Sequence, residues 1–321
     1  MHHRRGPFAL AALVALFSLA AHAQSWPTRP VRIIAPYPPG GFTDVVTRKV
    51  ADEMGRRLKQ AVVVENKPGA GTNIGAEAVA TAAPDGYTLL MGTSSLAINR
   101  TLYGKLNYDA VKDFAPLGVF ATTGYTLLAN KNLPVNNATE LIAYARAHPG
   151  QVNFGSSGNG AVNHLAGVLF ATMTATKLQH VPYKGSQAAI TDLVGGQIQL
   201  YWSSTLEAMP MIKADRVKAL GVTNKTRVPA VPTLPPLAQA VPGYEVLYWM
   251  GLFAPAATPR DIQARLAADL KQAVGSEEMK KYLEASGAEA VSRSPAETAA
   301  LLKKDIEGWG KTVKESGAHV D

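Results

Sequence analysis

Short apolar runs alternate along the chain with longer segments in which apolar residues recur every three or four positions. An apolar run fills residues 31–35, and residues 44–58 then place their apolar side chains near helical spacing. The runs at 62–65 and 87–92 repeat this order, and loops rich in Gly and Pro separate them from the next helical segment. Because consecutive parallel strands need a crossover connection, this rhythm predicts a parallel sheet with helices on both faces.

The same rhythm begins again after a strand predicted near residues 124–129. The later elements are, in order, a helix at 138–147, a strand at 153–155, a helix through His164 and Phe170, a helix at 186–194, strands at 198–202 and 217–222, a strand at 250–255, and helices at 259–274, 278–287 and 295–316. The segment between the last two strands is rich in Pro and is predicted to be irregular.

These two runs of elements predict two α/β lobes, the second inserted into the first. Residues 24–126 with 250–321 form the predicted first lobe, and residues 127–249 form the second. Strands near 125–129 and 250–254 would cross between the lobes. The predicted fold class is therefore α/β, with two doubly wound lobes joined by a hinge and a cleft that can close on a ligand.

The loop after the first strand is where the sequence first indicates a binding site. Gly40 and Gly41 let the backbone turn, and Thr43 and Asp44 follow at positions typical of a helix start. Unpaired N–H groups at such a helix start bind a carboxylate or phosphate. A tight turn without a ligand explains the same residues. Hydroxyls just past the third strand, beginning with Thr93 and Ser94, are expected at the same edge of the sheet.

Composition restricts the classes of protein. The chain has 321 residues, of which 47% are hydrophobic and 17% are charged, so it is long enough for two globular domains. It has no cysteine, which removes disulfides, thiolate metal sites and cysteine nucleophiles. The net charge of +8 is spread without a dense basic block, so nucleic-acid binding is not expected. We found no motif for a metal ion or a cofactor, and none is predicted.

The N-terminus has the three parts of a secretory signal peptide. Basic residues up to Arg5 precede an apolar run, and Ala21-His22-Ala23 is a cleavage site of the A-x-A type. The run is too short for a comfortable membrane span. Residues 1–23 are therefore predicted to be removed on export to the periplasm; a retained membrane anchor is the alternative.

Six short motifs, in order along the chain, resemble those of the Bug, or tripartite tricarboxylate transporter receptor, family of periplasmic solute-binding proteins. They are Pro-Gly-Gly-Phe-Thr-Asp at 39–44, Glu-Asn-Lys-Pro-Gly-Ala-Gly at 65–71, Pro-Asp-Gly-Tyr-Thr-Leu at 84–89, Gly-Ser-Ser-Gly-Asn-Gly at 155–160 with His-Leu-Ala-Gly at 164–167, His-Val-Pro-Tyr-Lys-Gly at 180–185, and Asp-Leu-Val-Gly-Gly at 192–196. The resemblance covers essentially the whole chain after the signal peptide. It implies a type II periplasmic-binding-protein fold that closes over a small carboxylate.

The resemblance also implies which residues contact that ligand, and water bridges are expected among the contacts. First-lobe positions are Gly41, Phe42, Thr43, Asp44, Thr93 and Ser94. Second-lobe positions are Ser157, Gly158, Asn159, His164, Tyr183, Lys184 and Gly185, followed by Trp202 and Ser203. Structural alternatives exist for four of them: a helix cap for Asp44, packing for His164, a surface ion pair for Lys184 and the core for Trp202.

The sequence departs from the family pattern at Trp202-Ser203, where the family commonly has Phe-Asp. An Asp would suit an ammonium or hydroxyl group of a ligand, whereas Ser is neutral and Trp presents an apolar face. The hypothesis from this departure is a carboxylic acid ligand without an amino group, with an apolar or aromatic body.

Two other functions compete with solute transport. Gly155-Ser156-Ser157-Gly158 resembles a serine-hydrolase elbow, but Asn159 stands where that motif needs Gly and no acid is placed to orient His164. No catalytic residue is therefore predicted. A ligand sensor that signals to a membrane partner needs the same binding lobes, so the sequence leaves open whether transporter subunits or a sensor are the partner. A monomer is expected.

Overall fold

A computed structural model describes residues 26–320. The predicted signal peptide, residues 1–23, lies outside this range. The helices and strands, in chain order, are β1 (Val31–Ala35), α1 (Phe42–Leu58), β2 (Val62–Asn66), α2 (Asn73–Ala80), β3 (Thr88–Thr93), α3 (Ser95–Leu102), β4 (Phe114–Asn130), α4 (Ala138–Ala147), β5 (Val152–Ser156), α5 (Val162–Thr174), β6 (Leu178–Pro182), α6 (Ser186–Gly195), β7 (Leu200–Ser204), α7 (Thr205–Lys213), β8 (Val217–Val222), β9 (Leu247–Pro255), α8 (Arg260–Val274), α9 (Glu277–Ala285), β10 (Glu289–Ala290) and α10 (Pro295–Ser316).

The strands form one sheet in the order β2-β1-β3-β9-β4-β7-β5-β6, and β8 and β10 also pair with β4. At one end, β1 pairs in parallel with β2 and β3. At the other end, β5 pairs in parallel with β6 and β7. The predicted parallel pairing therefore holds within each end. The strands between them, β9 and β4, pair antiparallel with their neighbours.

β4 changes partners partway along its length. Residues up to Gly124 pair with β9, whereas Tyr125 and the residues after it pair with β7. The chain returns at the same level, because Leu247 pairs with Gly124. The chain therefore changes sheet partners near the predicted lobe boundaries at residues 126 and 250, which stay a prediction.

The apolar faces predicted from helical spacing pack as a core on both sides of the sheet. In the first lobe, Val46, Val50 and Met54 of α1 lie against β1, β3 and α8 and are at most 1% exposed. A second cluster is continuous across both lobes, from Ile34 of β1 to Phe154 of β5 and Trp202 of β7. Burial of these side chains positions the strand ends at which the polar loops begin.

The structure contains several elements that the pattern did not predict. β4 starts ten residues earlier than the predicted strand, at Phe114. Four whole elements, β6, β10, α3 and α7, were not predicted. Among them, α7 contains Pro210, which removes one backbone hydrogen bond from the helix and hides its pattern. These differences lengthen the crossing strand and place one further helix start, that of α7, beside the loops of the second lobe.

Candidate ligand-binding cleft

The loop after β1 is held in place by Asp44, which is 2% exposed. One carboxylate oxygen, Oδ2, accepts hydrogen bonds from the Gly40 N–H at 2.9 Å and the Arg48 side chain at 3.0 Å. The other, Oδ1, accepts one from the Asn66 side chain at 2.7 Å. Burial opposes ionisation, but the bonds from Arg48, Asn66 and Gly40 outweigh it and lower the pKa of Asp44. Asp44 thus holds the loop in place from its buried side.

The start of α1 is open to an external anion. Gly41 is its N-cap residue, in an extended conformation with φ −76° and ψ 166°, and no side chain accepts a hydrogen bond from the first turn. Because the carboxylate of Asp44 reaches back to Gly40, it does not cap these amides. The first-turn N–H groups after Gly41, beginning with Phe42 and Thr43, therefore have no partner within the helix. They carry the partial positive charge of the helix start.

Two helices of the second lobe also begin without a side-chain cap. The N-cap residue of α5 is Ala161, and that of α6 is Gly185. The loops that lead into them lie side by side, because the Gly185 N–H donates to the Ser157 carbonyl at 3.2 Å and the Tyr183 N–H donates to the Ser156 carbonyl at 3.1 Å. The predicted residues Ser157, Gly158, Tyr183 and Gly185 are thus brought together.

Hydroxyl groups connect the segment after β1 to the end of β3 and to β9. The Tyr37 hydroxyl lies 2.6 Å from Thr93 Oγ1, and Thr43 Oγ1 lies 3.1 Å from the Tyr248 hydroxyl. Burial and the neighbouring Tyr37 raise the pKa of Tyr248 well above its usual value. Thr43 and Thr93, both predicted site residues, therefore lie with Tyr37 and Tyr248 at the carboxyl edge of the first-lobe strands.

Tyr125 lies where β4 passes from the first lobe to the second. It is the first residue of β4 that pairs with the second lobe. Burial raises the pKa of Tyr125, and so do the nearby groups of Tyr201 in the second lobe, Tyr37 in the first and Glu207. The phenol of Tyr125 thus has titratable neighbours from both lobes. Tyr201 in turn accepts a hydrogen bond from the Asn163 side chain at 3.1 Å.

Three predicted residues lie in the protein interior. Trp202 is 0% exposed and packs between Phe154 and Phe170, each with a ring centroid 5.7 Å away. Ser203 is 0% exposed, and its hydroxyl donates to the Ser204 carbonyl at 3.1 Å. Ser94 is also 0% exposed; its hydroxyl accepts the Trp249 N–H at 3.1 Å. In this conformation none of the three presents a side-chain surface to a ligand.

His164 lies in the first turn of α5 and packs in the protein interior. It is 3% exposed and stacks on His180, with ring centroids 3.7 Å apart. Its Nδ1 accepts the Gly160 N–H at 3.0 Å, so the proton of the neutral ring is on Nε2. Both rings line a cavity of about 690 Å³ that is also lined by Asn159 and by His319, near the C-terminus. The Asn159 side chain donates to the His319 carbonyl at 3.2 Å, which joins the two lobes.

Lys184 is exposed, and among residues 26–320 no hydrogen bond or ion pair holds its side chain. It follows Tyr183, whose hydroxyl donates to Asp192 at 2.7 Å. Burial and the Asp192 carboxylate raise the pKa of Tyr183 to about 12. The Lys184 ammonium group is therefore free to reach an anion near the start of α6.

The nearest serine–histidine pair lacks the acid that would orient the histidine as a base. Ser156 Oγ lies 2.7 Å from His180 Nε2 and 2.9 Å from the Gly158 carbonyl oxygen. No acidic side chain within residues 26–320 hydrogen-bonds to His180. Ser157, the other elbow serine, contacts Asn163 Oδ1 at 3.1 Å.

Several cleft residues were not predicted from the sequence. Tyr37 and Tyr125 were placed in a loop and a strand without a role, and Tyr248 lies just before the strand predicted from residue 250. Glu207 lies in α7, which was not predicted, and Ser186 was predicted only as the first residue of a helix. The Glu207 carboxylate accepts the Ser186 hydroxyl at 2.8 Å and the Ser204 hydroxyl at 3.0 Å. An acid three residues past a strand end, in the first turn of a helix, is the signal that could have indicated Glu207.

Two α/β lobes that share crossing strands, with loops and helix starts at the edge between them, define the class of two-lobed solute-binding proteins. Residues 46–318 match the sequence profile of the tripartite tricarboxylate transporter family receptor. The chain belongs to this family, which confirms the resemblance seen in the motifs. Among residues 26–320, no helix has the length and apolar character that a membrane crossing requires.

Relatives and solved structures agree with this assignment. A UPF0065 protein of Pseudomonas sp. strain P51 is 36% identical over 92% of this chain and 89% of its own length. Protein BugT of Bordetella pertussis is 34% identical over 92% of each chain. The R. palustris protein Rpa4515, solved with adipate, has a TM-score of 0.82 at 35% identity, covering 92% of this chain and 100% of its own. MatC of Rhodopseudomonas palustris, solved with malate, has a TM-score of 0.78 at 33% identity, covering 90% of this chain and 100% of its own. These structures confirm the predicted two-lobe fold class.

Proposed function

We propose that this protein is a periplasmic receptor that captures a small organic carboxylate between its lobes and delivers it to the membrane subunits of a tripartite transporter. The observation that carries the proposal is that α1, α5 and α6 all begin without a side-chain cap at the loops that the family motifs occupy. Helix starts of this kind stabilise a carboxylate by N–H donors and by the helix dipole.

The ligand contacts that we propose lie on both sides of Tyr125. In the first lobe they are the amides of Gly41, Phe42 and Thr43 and the hydroxyls of Thr93 and Tyr37. In the second lobe they are Ser157, Gly158, Tyr183, Lys184 and Gly185. Asp44 acts by holding the first loop, and Trp202 and His164 act by packing. Two family members with this fold were solved with adipate and malate, which supports a small carboxylate as the ligand class.

A binding receptor returns its ligand unchanged, so the test combines affinity with recovery. A panel of mono-, di- and tricarboxylates and aromatic acids is screened by thermal shift, and each positive compound is measured by isothermal titration calorimetry. A ligand that binds the folded protein and not the unfolded chain raises the melting temperature by mass action. We expect at least one carboxylate to bind and to be recovered intact after hours of incubation. A panel without a binder, or conversion of the bound acid, would overturn the proposal.

Delivery to a transporter is tested separately, because a membrane sensor would use the same closed lobes. Deletion of the gene in the source bacterium should abolish uptake of the labelled carboxylate found in the screen. Uptake that continues, together with loss of a transcriptional response to the same acid, would favour the sensor.

Sedimentation with and without ligand tests whether the protein is the expected monomer.

A further inference from the structure

Glu207 places a carboxylate in the second lobe beside the start of α6. It lies in the first turn of α7, and its two oxygens accept hydrogen bonds from Ser186 and Ser204, at 2.8 and 3.0 Å. Ser186 is the first residue of α6 and follows Gly185 directly. Glu207 therefore contacts the first residue of α6, the helix whose start we assign to the ligand site.

Two tyrosines, Tyr201 and Tyr125, lie near the Glu207 carboxylate. Burial raises the pKa of Tyr201, and the Glu207 carboxylate is the next cause. Glu207 is also among the groups that raise the pKa of Tyr125. Ser204, which donates a hydrogen bond to Glu207, pairs with Tyr125 in the β4–β7 ladder, so Glu207 lies beside the point at which β4 passes into the second lobe.

Glu207 has unused capacity to accept hydrogen bonds. Each oxygen of a carboxylate can accept about two hydrogen bonds, and each oxygen of Glu207 accepts one from a serine. Among residues 26–320, no Lys, Arg or His lies within 4.0 Å of this carboxylate. A half-buried charge without a cationic partner favours a donor from the ligand and repels a second anion.

We propose that Glu207 makes the cleft select carboxylates that carry a hydrogen-bond donor, an ammonium or a hydroxyl group, over equally long acids that end in a methyl group or a second carboxylate. This inference rests on the proposed function. It replaces the expectation drawn from Ser203, because Glu207 restores an acid to the second lobe four residues further along the chain.

Matched acids of three to six carbon atoms test the inference by calorimetry. Each length is represented by the unsubstituted acid, its terminal hydroxy acid, its terminal amino acid and its dicarboxylate. We expect the wild-type protein to bind a hydroxy or amino acid at least tenfold more tightly than the unsubstituted acid of the same length. The tighter binder of the two, the hydroxy acid or the amino acid, shows whether the preferred donor is a hydroxyl or an ammonium group.

The variant Glu207→Gln removes the charge and keeps the shape of the side chain. We expect it to reduce the preference for the ammonium group at least tenfold, to reduce that for the hydroxyl less, and to improve dicarboxylate binding. Glu140→Gln is the matched control, because Glu140 occupies the same position in the first turn of α4, bonded to Asn137, and is exposed. Its affinity ratios should equal those of the wild type.

The results separate the two proposals. If carboxylates bind but Glu207→Gln leaves every ratio unchanged, the role of Glu207 is only to hold Ser186 and Ser204, and the inference is overturned. A wild-type preference for unsubstituted acids or dicarboxylates overturns it as well. If no acid of the matched series binds but the wider carboxylate panel contains a binder, the inference is overturned and the proposed function stands. If neither set contains a binder, both fail.

Discussion

The Asn66 side chain donates a hydrogen bond to Asp44 Oδ1 at 2.7 Å and a second one to the Tyr37 carbonyl at 3.0 Å. Asn66 is the last residue of β2, so this contact joins the loops that follow two neighbouring strands. Two of the family motifs, at 39–44 and 65–71, therefore form one structure. The second motif supports the loop of the first.

Asp44→Asn should weaken both the fold and ligand binding. The substitution keeps the side-chain shape but removes the charge that Arg48 and the Gly40 N–H contact. Charge-assisted hydrogen bonds contribute about 1.5–3 kcal/mol each, and we expect a loss of about 2 kcal/mol in the free energy of unfolding. Urea denaturation and calorimetry measure the two effects.

Asp52→Asn on the same helix is the control for this variant, because Asp52 is exposed. It should leave stability within about 0.5 kcal/mol of the wild type. If both variants behave alike, Asp44 does not support the loop.

Gly41→Asp should abolish ligand binding without unfolding the protein. A Cβ at Gly41 has only the Pro38 carbonyl oxygen within 4 Å, at 3.9 Å, and the backbone there is extended, so the new side chain fits. Its carboxylate would cap α1 and occupy the place of the ligand carboxylate. An N-cap acid stabilises a helix by about 1 kcal/mol, so the melting temperature should not fall.

Gly41→Ala adds the same Cβ without an acceptor and should bind the ligand within a few-fold of the wild type. Affinities of the two variants from calorimetry give the comparison. Wild-type affinity in Gly41→Asp would mean that the start of α1 does not hold the ligand.

The stacked pair His164 and His180 should make the fold sensitive to acid. Burial, and then the neighbouring His180, lower the pKa of His164 to about 3, and burial lowers the pKa of His180 to about 4. Both values lie below the 6.5 of a histidine in an unfolded chain. As the pH falls below about 6.5, the unfolded chain binds protons first. The stabilisation is therefore complete above that pH and is lost progressively towards pH 4.

Urea midpoints between pH 7.5 and pH 4.5 measure this loss. The double variant His164→Gln/His180→Gln should lose less stability over this interval than the wild type, since each pKa unit corresponds to about 1.4 kcal/mol. His148→Gln, at the end of α4 and away from the pair, should retain the full acid sensitivity. Parallel curves for the wild type and the double variant would contradict the prediction.

Trp202→Phe should reduce stability and leave ligand affinity unchanged. The indole is fully buried between Phe154 and Phe170, and its truncation leaves a small cavity that costs about 1–3 kcal/mol. Phe170→Leu, on the other side of the same contact, should have the same effect. An affinity change of tenfold or more in Trp202→Phe alone would place the indole at the ligand.

Much of the fold follows from local pattern. The helix at 138–147, the strand at 217–222 and the helix at 295–316 agree with the structure to the residue. The first half of β4 could not be recognised, because Pro116 and Gly118 interrupt an apolar run that long-range pairing with β9 holds as a strand. Local propensity carries no information on such pairing.

The site was only partly predictable for the same reason. Glycines and prolines mark a loop by their own backbone preferences, so the loops around Gly41, Gly158 and Gly185 could be found in the sequence. The partners of Tyr125 and Glu207 are set by contacts between distant segments. Ser186 precedes Glu207 by 21 residues, and no local pattern connects them. Trp202 could not be assigned because a buried and a cleft-lining indole have the same sequence pattern.

One uninterrupted strand, β4, belongs to both lobes, and the apolar cluster that includes Ile34 and Trp202 also extends through both. If one lobe unfolds, strands of the other lobe lose hydrogen-bonding partners in the sheet. Heat and denaturant should consequently act on the pair as a single cooperative unit, and a ligand held by one lobe alone would still protect the whole chain from unfolding.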